Sequence, residues 1–384
     1  SVGDVILREV ARRIEQSFSS ALTIRQGGDE FIVLMDGEYD SGLEQTCKRF
    51  IGALRVPIHC GGLEFSIRAS IGVAQSLLDG SELDELLRKA DMAMYEAKRL
   101  RCGIYAYASH LEQRSERSGH IERELSSALE KGQFHLVYQP QVDAHTGRLL
   151  GVEALLRWQN PALGNVPPDE LISVAESMGM MRELGHFVIT TALEEISRIE
   201  TWPGEGDFRL AINTSVSQLF DGVFVTELIE LGCKRKQDGL QLVVEITESL
   251  FIEDVESARV VLDELRSNGL GISLDDFGTG YSSLSLLSKL PISELKIDKG
   301  FVQDILTDQQ DRQLIQSIIS LGKGLGIPVL AEGVETAAQA SLLDEFGCDR
   351  FQGYHFARPM PVDALTDFLA SSPDLRQRIS QVAD

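Results

Sequence analysis

Positive charge is scarce in this chain: 36 lysines and arginines face 59 aspartates and glutamates, a net charge of -23 at pH 7. Wrapping DNA or RNA needs a basic face that neutralises phosphates, so the charge argues against that class of function. A small anionic ligand held through metal ions is not. The five cysteines (Cys47, Cys60, Cys102, Cys233 and Cys348) are scattered without a CxxC pair. They read as reduced, packed thiols of a cytoplasmic protein, not a disulfide frame or a zinc site. The seven histidines form no HxH, HD or HExxH arrangement, which argues against imidazole-based metal chemistry. No apolar run approaches the length of a membrane span and no secretory leader is present, so no membrane contact is expected from this segment. The chain opens inside a helical pattern (Val5, Ile6, Val10, Ile14) without a start methionine. It therefore reads as a fragment, with any inner-membrane tether lying in a missing N-terminal segment.

What is present is enough for two domains, each with its own core. Apolar spacing predicts a helix over 4–17, then two apolar runs around Gly27-Gly28 that read as a β-hairpin with acidic residues at its tip. A helix over 41–54, a strand over 64–75 and a helix over 82–99 complete a small α+β unit. Residues 109–131 are polar, with loosely helical apolar spacing, and read as a linker (109–118) passing into a helix. From 134 onward strands alternate with helices, the strands falling near 134–142, 148–156, 208–215, 240–247, 271–277, 294–298, 327–333 and 350–356. That is the pattern of a (β/α)8 barrel. The first connection, Asp143 to Arg148, is too short for a parallel crossover, so the first two strands should be antiparallel. The fold class expected is therefore α/β, a modified TIM-like barrel preceded by a partial α+β domain.

The second half is arranged around Ile272-Ser273-Leu274-Asp275-Asp276-Phe277-Gly278-Thr279-Gly280-Tyr281, where an apolar strand runs into two adjacent carboxylates. Such a pair stays ionised cheaply only beside strong positive charge, and a divalent cation with hard oxygen ligands suits it. Other strands end the same way. Glu153 lies in the second, Asn213 in the third, and Glu245 in the fourth with Glu248 after it. Lys296 and Asp298 belong to the sixth, Glu332 with Glu335 to the seventh, and Gln352 to the eighth. Barrel enzymes place their chemistry at these strand ends. Carboxylates converging there make sense around cations, although Glu248, Asp298 and Glu335 also read as satisfied core groups or helix caps. A retaining glycosidase using Glu245 and Glu332 is a rival reading. It finds few aromatic platforms, since Trp158 and Trp202 are the only tryptophans.

Two family resemblances attach to these residues. Arg25-Gln26-Gly27-Gly28-Asp29-Glu30-Phe31, Ser70-Ile71-Gly72-Val73-Ala74 and Lys89-Ala90-Asp91 through Lys98 closely resemble the GGDEF family, whose domains condense two GTP molecules into cyclic di-GMP. The resemblance covers about the last two thirds of such a domain, taken as 1–108. It implies a nucleotide site at Asp4, Gly27, Gly28, Asp29 and Glu30. The family's opening segment with its second metal aspartate is absent, and its RxxD inhibitory motif reads Phe18-Ser19-Ser20-Ala21. The part as given is expected to be regulatory or inactive as a cyclase. A full-length bifunctional cyclase and phosphodiesterase is the alternative.

The second half, taken as 119–384, looks like the EAL family of metal-dependent phosphodiesterases that open cyclic di-GMP to linear pGpG. The residues that carry this are Glu153-Ala154-Leu155-Leu156-Arg157-Trp158, Ile212-Asn213-Thr214-Ser215, Glu245-Ile246-Thr247-Glu248-Ser249, the Asp275-Asp276 stretch, Leu295-Lys296-Ile297-Asp298, Ala331-Glu332-Gly333-Val334-Glu335, Gln352-Gly353-Tyr354 and Arg358-Pro359. The resemblance implies two ions, Mg2+ or Mn2+, held by Glu153, Asn213, Glu245, Asp275, Asp276 and Glu332. It gives Lys296 to the attacking water, with Glu248, Asp298 and Gln352 as further catalytic residues. Arg157, Gln139 and Pro359 would contact substrate. Glu248 would hold the Asp276–Tyr281 loop, which the family also uses at a homodimer contact. A non-catalytic cyclic di-GMP receptor is the remaining alternative.

Overall fold

A computed structural model describes residues 2–371 apart from 61, 101, 200–207, 237, 249–254, 279–286 and 288. The chain divides into two compact units, Ser1–His120 and Ile121–Asp384.

In the first unit, helix α1 (Val2–Ser17) leads into the antiparallel hairpin of β1 (Leu22–Gly27) and β2 (Glu30–Leu34). Helix α2 (Ser41–Leu54) begins where the Asp40 carboxylate accepts from the Leu43 N–H at 2.8 Å. Two short strands, β3 (Ile58–Cys60) and β4 (Leu63–Phe65), form a second hairpin. Strand β5 (Ile71–Val73), helix α3 (Leu83–Arg99) and strand β6 (Ile104–Ala106) follow, β5 and β6 pairing in parallel. The expected strand over 64–75 is thus two strands, β4 and β5, that pair with different partners. Helix α3 lies directly on β5: a Cβ at Gly72 would come within 1.9 Å of the Ala90 carbonyl, so only glycine fits. Ile14, Phe18, Cys47, Phe50, Leu54 and Ile104 make the core. Residues 110–118, read as linker, are helical within α4 (His110–Leu125).

The second unit carries β7 (Phe134–Asp143), β8 (Leu149–Asn160), β9 (Gly164–Val166), α5 (Pro168–Met178) and α6 (Met181–Ile196). Then come β10 (Phe208–Asn213), α7 (Val216–Leu219), α8 (Gly222–Lys236), β11 (Leu240–Thr247), α9 (Val255–Ser267), β12 (Gly271–Phe277) and β13 (Glu294–Ile297). Helices α10 (Lys299–Gln303) and α11 (Gln309–Leu325), β14 (Val329–Ala331), α12 (Ala337–Phe346), β15 (Arg350–Gln352) and α13 (Val362–Ala370) complete it. The strands pair in the order β10-β11-β12-β13-β14-β15-β7-β8, and β8 pairs with β10 to close an eight-stranded barrel. Of the eight barrel strands, only β7 runs against its neighbours, β8 and β15. The cause is the predicted short connection: the Asp143 carboxylate accepts from the N–H groups of His145 and Thr146, and Gly147 takes φ +67°. Strand β9 pairs antiparallel with β8 and was not foreseen.

Alternation along the strands separates apolar from polar faces. On β13, Leu295 and Ile297 join the apolar core, while Glu294 and Lys296 share the other face and are fully buried. On β11, Val244 and Ile246 join the same core and leave Glu245 on the opposite face. The polar residues therefore fill the barrel interior, with Lys296 nearer the strand ends than Glu294.

Candidate active site

Lys296 has no exposed surface, and its ammonium is met by four carboxylates. Nζ lies 2.6 Å from Glu332 Oε1, 2.8 Å from Glu245 Oε2, 3.2 Å from Asp275 Oδ2 and 3.8 Å from Glu153 Oε2. Burial alone would favour the neutral amine, but these carboxylates outweigh it and hold the lysine pKa well above its ordinary value. One cation cannot satisfy four anions. Burial, with the charges of Glu153, Asp275 and Glu332, drives the Glu245 carboxyl well above the usual range. Burial pushes Glu332 up to about 8 against the opposing pull of Lys296. Glu153 goes the other way. Burial works against its charge, but Lys296 and hydrogen bonds from Gln352 and Asn213 hold its pKa below normal. Those bonds are short, 2.6 Å from Asn213 Nδ2 and 2.6 Å from Gln352 Nε2.

Asp275 and Asp276 reach the same mouth because β12 breaks its pleat. The register with β13 shifts between Leu274 and Phe277, and Asp276 takes a left-handed φ of 54°. Asp276 is pushed up to about 6, first by burial and then by the charges of Asp275 and Asp298. Asp298 also caps α10, accepting from the Gly300 N–H at 2.9 Å. The buried Glu248 carboxylate accepts from the Gly278 N–H at 3.3 Å, just past the two aspartates. Thr279, Gly280 and Tyr281 of the expected loop lie outside the described residues, and Glu335 is exposed.

The residues present suit divalent cations. Glu245 Oε1 is buried without a hydrogen-bond partner, an expensive state for a carboxylate oxygen that a cation would relieve. Its neighbours offer hard oxygen donors in excess of the positive charge available. Among the described residues no three ligand groups already surround a common point as they would an ion; the Lys296 ammonium is what the carboxylates share. Beside this cluster opens a cleft of about 460 Å³ lined by His135, Arg157, Tyr354, Arg358 and Pro359 among others. The Arg358 guanidinium lies 4.7 Å from the Tyr354 ring centre. Two of the expected substrate contacts, Arg157 and Pro359, thus share one cleft. The third, Gln139, is buried and accepts from Gln352 Nε2 at 3.2 Å.

Residues 122–359 match the model of the EAL domain, and residues 1–102 that of the diguanylate cyclase, GGDEF domain. The chain belongs to the EAL family. It is 37% identical over 366 residues to the bifunctional diguanylate cyclase/cyclic di-GMP phosphodiesterase MucR of Pseudomonas aeruginosa, covering 95% of this chain and 53% of MucR. It is 36% identical to the cyclic di-GMP phosphodiesterase PdeR of Escherichia coli, covering 94% of this chain and 55% of PdeR. The chain thus spans about half the length of these relatives. Among solved structures, the P. aeruginosa MucR phosphodiesterase in complex with c-di-GMP superposes with a TM-score of 0.59 at 38% identity, covering 64% of this chain and 99% of that one. The EAL enzyme Bd1971 bound to cAMP and cyclic di-GMP gives 0.61 at 31% identity, covering 75% and 76%.

In the GGDEF part, Gly27, Gly28, Asp29 and Glu30 form the hairpin tip, with Gly28 at φ +51° and the Arg25 guanidinium donating to the Gly28 carbonyl at 2.7 Å. A Cβ at either glycine would meet nothing within 4 Å, so the tip is open. Asp4 lies in the first turn of α1. In the EAL part, Trp158 is wholly buried and its indole N–H donates to Gln133 at 3.0 Å. It is no sugar platform, and Trp202 lies outside the described residues. Sequence reasoning missed Gln141, whose side-chain amide donates to Gln352 Oε1 at 2.9 Å. Its position two residues after Gln139 on one strand face was the available signal.

Proposed function

We propose that the EAL part hydrolyses cyclic di-GMP to linear 5′-pGpG, using two divalent ions, Mg2+ or Mn2+. The observation that carries this reading is the interior cluster of Glu153, Glu245, Asp275 and Glu332 around one buried ammonium, with Glu245 Oε1 left unpartnered. Glu153, Asn213, Glu245, Asp275, Asp276 and Glu332 would hold the ions. When bound, a pair of divalent ions activates water and stabilises the charge of an in-line phosphoryl displacement.

The chain's own residues do the rest. A water oxygen bonds to phosphorus as the bond to the 3′ oxygen breaks, leaving a 3′ hydroxyl and a 5′ phosphate. In the ion-free cluster the carboxylates hold the Lys296 pKa above its ordinary value. As an ammonium it would donate hydrogen bonds and screen the charge that builds on the phosphate. Arg157 in the cleft has the fork geometry to pair with a phosphate. Gln352 holds Glu153 from the side. Glu248 ties down the backbone after Asp276, and Asp298 keeps a second carboxyl beside it.

The likeness to MucR and PdeR, both named as cyclic di-GMP phosphodiesterases, supports the same substrate. We take residues 1–108 as a regulatory GGDEF part that can bind GTP, 109–118 as the passage, and 119–384 as the catalytic part, which pairs as a homodimer in the cytoplasm. Incubation with cyclic di-GMP and Mn2+ should yield pGpG, resolved by chromatography. Nucleotide that binds yet stays cyclic would make the protein a receptor and end the catalytic reading.

A further inference from the structure

A second polar cluster lies in the barrel interior, near the strand starts. Glu294 accepts from Arg209 Nη2 at 2.7 Å, from Ser273 Oγ at 3.0 Å, and from Arg350. From this cluster a line of buried side chains runs to the acidic site. Arg209 Nη1 donates to Gln141 Oε1 at 3.5 Å, Gln141 Nε2 donates to Gln352 Oε1 at 2.9 Å, and Gln352 Nε2 donates to Glu153 Oε2 at 2.6 Å. Gln141 has no exposed surface and Gln352 almost none. Strands β8 and β10 approach closely beside this line at Gly151, where a Cβ would fall within 2.2 Å of the Arg209 carbonyl oxygen.

The polarity of every link follows from its two ends. An ionised carboxylate only accepts, so Gln352 must turn its NH2 toward Glu153 and its oxygen away. That oxygen then needs a donor, which is Gln141 Nε2. The oxygen of Gln141 in turn needs a donor, which is the guanidinium of Arg209, a group that never accepts. A side-chain amide can flip at little cost in shape; here a cation at one end and an anion at the other remove the choice. The Gln352 amide also donates to Gln139 in the same orientation, at 3.2 Å.

We propose that Gln141 is a positioning residue for the acidic site: it fixes the orientation of Gln352, and through it the carboxylate of Glu153. The proposal rests on the ion-binding role given to Glu153 above. Gln141 reaches Glu153 only through Gln352. Without it, the buried Gln352 oxygen has no donor, and the amide can no longer satisfy both its ends while it holds Glu153.

Gln141→Met removes the donor and keeps the length. Mn2+ binding, read as free Mn2+ by electron paramagnetic resonance without substrate, should weaken roughly tenfold, the low end of the range for direct partners of metal ligands, because Gln141 acts one bond further out. Gln141→Glu sets an acceptor against Gln352 and should weaken it more. The decisive comparison is the double variant Gln141→Met with Gln352→Met, which should bind Mn2+ no worse than Gln352→Met alone. Unchanged Mn2+ affinity in folded Gln141→Met, or additive losses in the double variant, would overturn the proposal. So would failure of both Gln141 variants to fold, because the role would then be barrel stability. Absence of pGpG from the wild type would refute the reaction, yet leave the Mn2+ comparison intact as a test of Gln141.

Discussion

Lys296 is wholly buried, so its charge is answered by protein groups or not at all. Removing it leaves the carboxylates facing one another, and breaking a buried ionic arrangement in this way costs about 3–5 kcal/mol. Lys296→Met should therefore lower the urea midpoint of the ion-free protein by a corresponding amount. Mn2+ should restore most of the loss, since a ligand that binds only the folded state stabilises it. A midpoint unmoved by the substitution would mean that the ammonium is not what holds the cluster together. The same variant, like Glu153→Ala, should form pGpG at least ~10²-fold more slowly, the usual effect of losing one charge-stabilising group. Near-normal turnover in either folded variant would remove that residue from the mechanism. The acidic strand ends were legible as residue types in the sequence. That their shared partner is a single lysine at 2.6 to 3.8 Å was not, because pairing across the barrel depends on register.

At the scale of the element, β12 illustrates what patterning can and cannot reveal. Ile272, Leu274 and Phe277 mark an apolar strand, and its range was read from them as Gly271–Phe277. A regular pleat would send Asp275 and Asp276 to opposite faces. Only the bulge and the left-handed Asp276 bring both to one mouth, and no composition signal announces a bulge of this kind. A non-glycine residue in that backbone state costs ~1–2 kcal/mol, least for Asn and Asp, whose short polar side chains bond locally. Asp276→Asn should keep the unfolding free energy, read by urea titration, within ~0.5 kcal/mol of wild type while depressing pGpG formation. Asp276→Val should lose a further 1–2 kcal/mol, roughly, because a β-branched residue tolerates this conformation worst. Equal stability of the two variants would show that the strand relaxes when the aspartate goes. The strands expected over 327–333 and 350–356 are shorter for a related reason. At Gly333, φ +66° turns the chain, and a Cβ at Gly353 would fall within 2.1 Å of the Val334 carbonyl oxygen. The two loops interlock there and no ladder continues.

Across the whole barrel, the two ends of the interior carry opposite charge balances. At the strand ends, four carboxylates surround one ammonium, an arrangement that other cations would complete. At the strand starts, Glu294 is enclosed by Arg209 and Arg350 and needs nothing further. Burial opposes the charge of Glu294, yet the two arginines overcome it and bring its pKa from the ordinary 4.5 down to about 2. A carboxylate depressed on folding stabilises above its unfolded pKa. As pH falls below about 4.5 the unfolded chain takes up the proton first, so the stabilisation drains away until the folded pKa near 2 is reached. A shift of that size corresponds to about 3 kcal/mol. Other groups of the barrel titrate in the same range, so the comparison must be made against Glu294→Gln. At pH 7 the variant should be less stable by roughly 3–5 kcal/mol, because the buried Arg209 and the partly buried Arg350 lose their partner. Between pH 4.5 and pH 2.5 the gap in urea midpoint should narrow steadily, since acid removes from the wild type what the substitution has already removed. A gap that stays constant through that window would mean that Glu294 is not ionised in the folded barrel. The strand starts would then be held by packing alone, and the stable end of the molecule would owe nothing to its buried ion pairs.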